Sequence, residues 1–406
     1  MTVRPAPDRP RIEVGTLLED APRRPHHWRW WAAAVLTLVV AAHLAGGWYL
    51  SGRIGAEVLA VTPGTTTPAF DDARVVSLEG DLITLRRGTD AGGNFEAPAS
   101  YGLAWAGGTG HVGPASVNPD GTVTRPLDLV KGAPPKAGQG VAMERAYYLG
   151  DPASTLGLRS RTVTIAGAPA WFVPAKASVA AVAIFVHGQN GTRADGLRFV
   201  AAAHRAGLAA LVISYRNDAG APADPSGRLQ YGATEWRDLD AAVAWAQAHG
   251  LRRVALAGQS MGGAIVASFL EHSSRRGAVS RVFLDAPMLS LSQVVSNGAG
   301  SALPGGLSLP GSIVWTGEQL AGLRYGVDWA AVDYLDDTSW LRVPTLVTHG
   351  TADPVVPVSG SEQLRDAAPK LVTLKEFPRA LHAESWNFDM FRWDDAVVAF
   401  LRPVAR

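Results

Sequence analysis

The chain contains no cysteine among its 406 residues. Disulfides, thiolate metal sites and a cysteine nucleophile are therefore all excluded. It also lacks an excess of charge, because 37 Lys and Arg residues are balanced by 36 Asp and Glu residues. This balance gives no reason to expect nucleic acid as a partner. The spacing of His, Asp and Glu suggests no metal site, and we expect no cofactor.

Formal charge is also missing from the whole stretch between Trp30 and Leu50. Such a stretch is long enough to cross a hydrocarbon core of roughly 30 Å as a helix. The aromatic residues near its two ends, Trp31 and Trp48 among them, are typical of interfacial anchors. We therefore predict a transmembrane helix over residues 30–50.

The arginines around this stretch predict its orientation. Arg23, Arg24 and Arg29 precede it, whereas Arg53 alone comes just after it. This bias places residues 1–29 in the cytoplasm and the remaining chain outside it. The expected protein is a single-pass membrane protein with an extracytoplasmic catalytic domain. A cleavable signal peptide is the alternative, with Val40-Ala41-Ala42 as its cleavage site.

The most informative motif is Gly258-Gln259-Ser260-Met261-Gly262, which follows an apolar run of strand length. A sharp strand-to-helix turn needs small residues two positions before and after its apex, where the side chain is exposed in a strained conformation. The next residues are typical of a buried helix, whose first N–H groups would point at the serine oxygen. Ser260 is therefore a candidate nucleophile. An ordinary glycine-rich turn is the alternative.

A serine nucleophile needs an imidazole base and an acid that orients it. His382 lies in a loop after a predicted strand, where the catalytic side chains of an open α/β sheet gather. Asp353 stands just beyond another strand and is the first choice for the acid. Asp285, at the end of the preceding strand, is the second choice. The other histidines fit solvated or architectural positions better.

Two backbone amides complete this arrangement. A buried strand runs into His187-Gly188, so the next amide, that of Gln189, would point into the site beside the amide of Met261. Each such donor lowers a reaction barrier by about 3 kcal/mol.

These residues, in the order Ser, Asp, His, make the chain resemble the α/β-hydrolase superfamily over roughly residues 160–402. The resemblance implies that Ser260 attacks an acyl carbonyl, that His382 is general base and then acid, and that Asp353 orients it. It also implies that Gln189 and Met261 donate their backbone N–H groups to the oxyanion. It does not define a substrate, because the fold hosts many hydrolytic activities.

The periodicity supports the same fold class independently. Apolar runs of strand length alternate with helical patterns, which predicts a mostly parallel sheet with helices on both faces. The strands are expected over residues 182–186, 208–214, 254–257, 282–284, 344–348 and 371–377. The hydrolase domain would extend over residues 160–406, with an apolar cap insertion at about 288–340. Upstream, we expect residues 54–150 to form a small β-rich region with a hairpin around Gly80, which serves as a spacer, a cap over the active site or a surface for a partner.

We expect a membrane-tethered serine hydrolase that cleaves a carboxylester or thioester through an acyl-enzyme. Its substrate would be a small acyl compound, and a lipid is favoured by the apolar cap. A serine peptidase such as an aminopeptidase is one alternative, since an amide needs the same triad. A catalytically silent envelope protein that uses the fold for binding is the other.

Overall fold

The computed structural model of the chain describes residues 2, 27–62, 69–177, 179–300 and 308–405. The predicted cytoplasmic segment, residues 1–29, lies almost entirely outside the described residues. Residues 301–307 of the predicted cap also lie outside them.

A long apolar helix, α1 (His27–Arg53), begins the described chain and includes the predicted span 30–50. It continues through one turn of π-helix, Ile54–Val58. The combined segment has a mean hydropathy of 1.7 over its most apolar window, and only 11% of that window is buried. By length and composition it could cross a bilayer or serve as a signal sequence.

The β-rich region is a small antiparallel barrel, called here the accessory barrel. Its seven strands pair in the order β2-β1-β7-β3-β4-β6-β5, and a further pairing of β2 with β6 closes the sheet. The strands are β1 (Ala73–Glu79), β2 (Leu82–Arg87), β3 (Tyr101–Trp105), β4 (Gly108–Val112), β5 (Ser116–Val117), β6 (Val123–Gly132) and β7 (Gly140–Glu144). The predicted hairpin is confirmed, because Glu79 pairs with Leu82 across a turn in which Gly80 has φ +63°.

One buried arginine organises the interior of the accessory barrel. Arg125 on β6 is fully buried and donates hydrogen bonds to the carbonyl oxygens of residues 94, 95, 97, 99 and 113. A guanidinium can satisfy several acceptors at once, so this side chain ties the irregular segment before β3 to the barrel.

The second sheet has eight strands in the order β15-β14-β13-β12-β10-β11-β9-β8. Strands β10 to β15 run parallel to one another, whereas β9 is antiparallel to β11 and β8 is antiparallel to β9. The mostly parallel sheet predicted from the sequence is thus confirmed. The strands are β8 (Arg161–Ile165), β9 (Ala168–Val173), β10 (Ala181–Val186), β11 (Ala209–Ile213), β12 (Arg253–Gln259), β13 (Val279–Asp285), β14 (Thr345–Gly350) and β15 (Val372–Phe377).

Helices cover both faces of this sheet, as the buried apolar runs of its parallel strands require. One face packs on α3 and α10, and the other packs on α4 and α5. The helices after α1 are α2 (Pro152–Leu156), α3 (Leu197–Arg205), α4 (Trp236–Ala248), α5 (Met261–His272), α6 (Leu291–Ala299), α7 (Gly311–Tyr325), α8 (Val358–Ala367), α9 (Ser385–Phe388) and α10 (Met390–Ala405).

The insertion between β13 and β14 carries α6 and α7, and α7 packs along α1. Small residues allow the two helices to approach closely: a Cβ on Gly47 would lie 2.6 Å from the Thr316 side chain, and one on Gly317 would lie 2.8 Å from Leu50. Beyond this contact the apolar segment enters the core beside the eight-stranded sheet, where Ile54 and Leu59 are almost completely buried. The predicted cap is therefore joined to the N-terminal helix.

Candidate active site

Ser260 occupies the turn between β12 and α5. Its backbone has φ 52° and ψ −122°, a sparsely populated conformation that costs on the order of 1–3 kcal/mol and is found mainly at functional sites. The flanking glycines are required for steric reasons. A Cβ on Gly258 would lie 2.4 Å from the carbonyl oxygen of Gly262, and one on Gly262 would lie 2.2 Å from the carbonyl oxygen of Val186.

The three side chains singled out in the sequence lie in a hydrogen-bonded line. His382 Nε2 lies 2.9 Å from Ser260 Oγ, and His382 Nδ1 lies 2.7 Å from Asp353 Oδ2. Each residue follows a strand of the same sheet, so the strand ends bring together positions that are far apart in the chain. In this order an imidazole can take the proton of the serine while the carboxylate fixes its tautomer.

Asp353 is held as a carboxylate by its surroundings. Its Oδ1 accepts hydrogen bonds from the backbone N–H groups of Val355 and Val356. Burial alone would raise its pKa, but hydrogen bonds from His349 and His382, together with the charge of His382, hold the pKa well below its usual value. Asp353 is therefore ionised at neutral pH, as an orienting acid must be.

Asp285, the second choice for the acid, is not the partner of His382. Its Oδ1 accepts a hydrogen bond from the Thr348 hydroxyl, and the residue is buried. Its backbone carbonyl does support the site, because it accepts the N–H of Ser260 at 3.0 Å.

The two predicted amide donors lie on either side of Ser260. A Cβ on Gly188 would come within 2.9 Å of the Ser260 Cβ, so Gln189 directly follows a residue that packs against the serine. Met261 is the first residue of α5, where a backbone N–H has no acceptor within the helix. Within the described part of the chain, neither of these N–H groups donates a hydrogen bond.

The polar residues that follow β11 form an ion-pair network. Arg216 pairs with Asp238 at 2.7 Å and with Asp224 at 3.3 Å. Asp218 lies 2.8 Å from the fully buried His187, whose other ring nitrogen faces the Gly188 carbonyl. Burial would lower the pKa of His187, but the Asp218 charge raises it on balance. The network thus braces the turn that carries Gln189.

Sequence reasoning missed several supports of the site. His349 lies 3.3 Å from Asp353 Oδ2 and is a second partner of that carboxylate. Its position four residues before an acid at a strand end was the only available signal. Tyr101 of the accessory barrel donates to Glu384 at 2.7 Å across a separation of 283 residues, which no sequence pattern indicates.

The Gln189 side chain is joined to the N-terminal segment. Its amide group donates to the carbonyl oxygens of Glu57 and Val58, each at 3.0 Å, and its oxygen accepts from Tyr231.

The described residues contain no group of three or more His, Asp or Glu side chains arranged to hold a metal ion.

No family model matches the chain, and no curated protein matches it. Solved structures do resemble it. A Pyrococcus furiosus esterase is 18% identical with a TM-score of 0.49, and the match covers 64% of this chain and 96% of the esterase. A membrane phospholipase A described as a bacterial virulence factor is 18% identical with a TM-score of 0.45, covering 61% and 87%. A protein of unknown function from Agrobacterium tumefaciens, described as a candidate α/β hydrolase, is 17% identical with a TM-score of 0.42, covering 61% and 98%. The fold class of this chain, a mostly parallel sheet with helices on both faces, follows from its own strands and helices.

Proposed function

We propose that this chain is a serine hydrolase that cleaves a carboxylester or thioester through a covalent acyl-enzyme. The observation that carries the proposal is the hydrogen-bonded line from Ser260 Oγ through His382 to Asp353, with the serine strained at the start of α5. A serine with only a structural role would gain nothing from a strained backbone conformation that presents its hydroxyl to an imidazole.

The reaction follows from this geometry. Ser260 Oγ attacks the acyl carbonyl carbon while His382 Nε2 takes its proton, and Asp353 stabilises the imidazolium. The oxyanion accepts hydrogen bonds from the backbone N–H groups of Gln189 and Met261. When the tetrahedral intermediate collapses, the bond to the leaving alcohol or thiol breaks and His382 returns the proton to it. Water, activated by the same imidazole, then hydrolyses the acyl-enzyme.

We also propose that α1 is a retained anchor, with residues 1–29 in the cytoplasm and the hydrolase domain outside it. The apolar residues near its beginning are exposed, whereas its end is part of the hydrolase fold. The signal-peptide site Val40-Ala41-Ala42 lies within the continuous helix His27–Arg53. This architecture fits a membrane-spanning helix whose final turns belong to the folded domain.

Labelling with a fluorophosphonate probe tests the proposed chemistry, because the probe reacts only with an activated serine. We expect the wild-type protein to be labelled and Ser260→Ala to be unlabelled. Ser268→Ala is the matched control, since it removes another hydroxyl from α5 and should leave labelling intact. An unlabelled but folded wild-type protein would instead indicate a binding role. Faster turnover of aminoacyl amides than of acyl esters would indicate a peptidase.

A further inference from the structure

An open cavity of about 260 Å³ lies between the end of the N-terminal helix and the cap. Its first wall is the helix and the π-turn, which contribute Leu50, Ile54 and Val58. Its second wall is α6, which contributes Val294, Val295, Gly298 and Ala299. This size is close to the lower end of ligand pockets, which measure about 300–1,000 Å³.

The third wall of the cavity is Pro354 and Val355, which directly follow the triad acid Asp353. Asn297 on α6 fixes this loop by donating to the carbonyl oxygens of both residues. On the opposite side, the Val58 carbonyl accepts a hydrogen bond from the Gln189 side chain. The cavity is therefore built from the immediate neighbours of the acid loop and of the oxyanion turn.

The chemistry of the lining favours an alkyl chain. Apart from Arg53 and Glu57, the lining side chains are apolar. Those two charges neutralise each other in a bidentate ion pair with distances of 2.8 and 2.6 Å. Among the described residues, the charges in the lining are thus paired with each other, and the remaining lining side chains are apolar. Such a wall gains from covering methylenes.

The surroundings of the cavity are those of a membrane surface. Leu50, in its wall, is also the last residue of the predicted transmembrane span 30–50. The neighbouring side chains Trp48, Tyr49 and Trp315 are 57–62% exposed, although they are large and aromatic. Arg324 stacks over Trp48 at 4.0 Å and donates to the Ser51 hydroxyl. Aromatic rings beside an arginine are the usual composition of a helix end at the bilayer interface.

The packing of α7 strengthens this placement. His43, well inside the apolar stretch, lies 2.8 Å from the hydroxyl of Ser312 in the first turn of α7. The residues of α1 before His43 are too few to cross the roughly 30 Å of a hydrocarbon core at about 1.5 Å per residue. The start of α7 must therefore enter the outer edge of the bilayer when α1 spans it.

We propose that this cavity binds the acyl chain of a bilayer lipid, which enters it laterally from the membrane beside α1. This inference rests on the proposed function, because it takes the bound acyl chain to be part of the substrate that Ser260 attacks. The cavity then sets the substrate class: a long-chain lipid ester whose carbonyl reaches Ser260 while its chain lies between α1 and α6.

Photo-cross-linking tests the lipid site without any need for turnover. Full-length Ser260→Ala is placed in phosphatidylcholine vesicles containing a phosphatidylcholine with a diazirine at the end of one acyl chain. We expect cross-links in the tryptic peptide 343–365, which carries Pro354 and Val355 and lies outside the membrane helices. Cross-links confined to residues 28–49 would overturn the proposal.

A cavity-filling variant makes the test specific. Gly298 lines the cavity, and a Cβ added there meets nothing within 4 Å, so Gly298→Trp has room to fill it. Its cross-linking in peptide 343–365 should fall about tenfold, the effect of roughly two methylenes excluded from an apolar site. Gly277→Trp is the matched control, because Gly277 has equal space but lies in the turn Ser274–Ala278, away from the cavity. Equal cross-linking of both variants would refute the site.

The two proposals fail separately. The wild-type protein could react with fluorophosphonate while Ser260→Ala gives no cross-link in peptide 343–365. That result would support the hydrolase function and refute the lipid site. Cross-linking in peptide 343–365 without fluorophosphonate labelling of the wild-type protein would keep the lipid site and refute the hydrolase function. In the active protein, each added methylene of the acyl chain should raise kcat/KM about fourfold until the cavity is full, and Gly298→Trp should flatten that series.

Discussion

At the scale of single residues, the candidate site depends on how Ser260 is held. Its carbonyl accepts hydrogen bonds from the backbone N–H groups of Gly263 and Met288, and its own N–H donates to Asp285. Three backbone hydrogen bonds thus hold the strained turn, one from the start of α5 and two from the end of β13 and the residues after it. The sequence could indicate this turn because the two glycines leave a visible pattern, whereas the contact with Met288 leaves none.

The buried pair His187–Asp218 gives a stability prediction with a definite pH dependence. The pKa of His187 is raised in the folded protein above its unfolded value of about 6.5. The pair therefore contributes fully below about pH 6.5, and its contribution is lost as the pH rises through the folded pKa. We expect Asp218→Asn to lower the free energy of unfolding by about 3 kcal/mol at pH 6 and by less at pH 9.

Urea unfolding at the two pH values measures this difference. Asp366→Asn is the matched control, because Asp366 is 70% exposed in its pair with Arg365 and should contribute less than about 1 kcal/mol. If Asp218→Asn were equally destabilising at pH 6 and pH 9, the assignment of His187 as the titrating partner would be wrong.

At the scale of elements, the accessory barrel contacts the loop that carries His382. Tyr101 on β3 donates to Glu384, and Asn387 on α9 bonds with the backbone of Ser100 and Arg145. Burial raises the pKa of Glu384, while the Tyr101 hydroxyl and nearby positive charges oppose that shift. The accessory barrel thereby braces the segment two residues beyond the His382 imidazole, a role that its sequence did not reveal.

Replacing Tyr101 by Phe tests this role. The change leaves the buried Glu384 without its donor, which costs about 1–3 kcal/mol, and we expect the released loop to lower kcat on a short-chain ester. Trp105→Phe removes a hydrogen bond to Ala133 within the accessory barrel and makes no change to the Glu384 contact, so it is the control. Calorimetry and steady-state kinetics on both variants decide the matter: equal losses of kcat would show that Tyr101 acts only through the stability of the barrel.

At the scale of the whole molecule, the sequence predicted the elements that leave a local pattern of apolar residues. The parallel strands are found within a few residues of their expected positions, because buried strands leave continuous apolar runs. The antiparallel strands β8 and β9 and the closure of the accessory barrel were not anticipated. The packing of α7 on α1 was also missed, because glycine contacts between distant helices have no periodic signature.

Two truncations test how the N-terminal helix is joined to the fold. Removal of residues 1–42 deletes most of the apolar exposed helix but keeps the turns that pack on α7, so we expect a folded domain that leaves the membrane fraction. Removal of residues 1–59 also deletes Ile54 and Leu59 from the core. Burial of each such side chain contributes about 1.5–3 kcal/mol, so this truncation should unfold or aggregate.

Membrane fractionation and circular dichroism distinguish these outcomes. A folded, soluble protein after removal of residues 1–59 would show that the segment is a dispensable tether. Membrane retention after removal of residues 1–42 would show that other surfaces suffice for attachment.

Helix α1 continues through the π-turn Ile54–Val58 into the core at Leu59, so no flexible linker separates the helix from the domain. A domain attached to a membrane helix by a flexible linker could sample a hemisphere of solution around its attachment point. With α1 in the bilayer, this domain would have a fixed height and a fixed face turned toward the lipid. Its encounters would then be set by two-dimensional diffusion, and its rate would follow the surface density of its substrate rather than the bulk concentration.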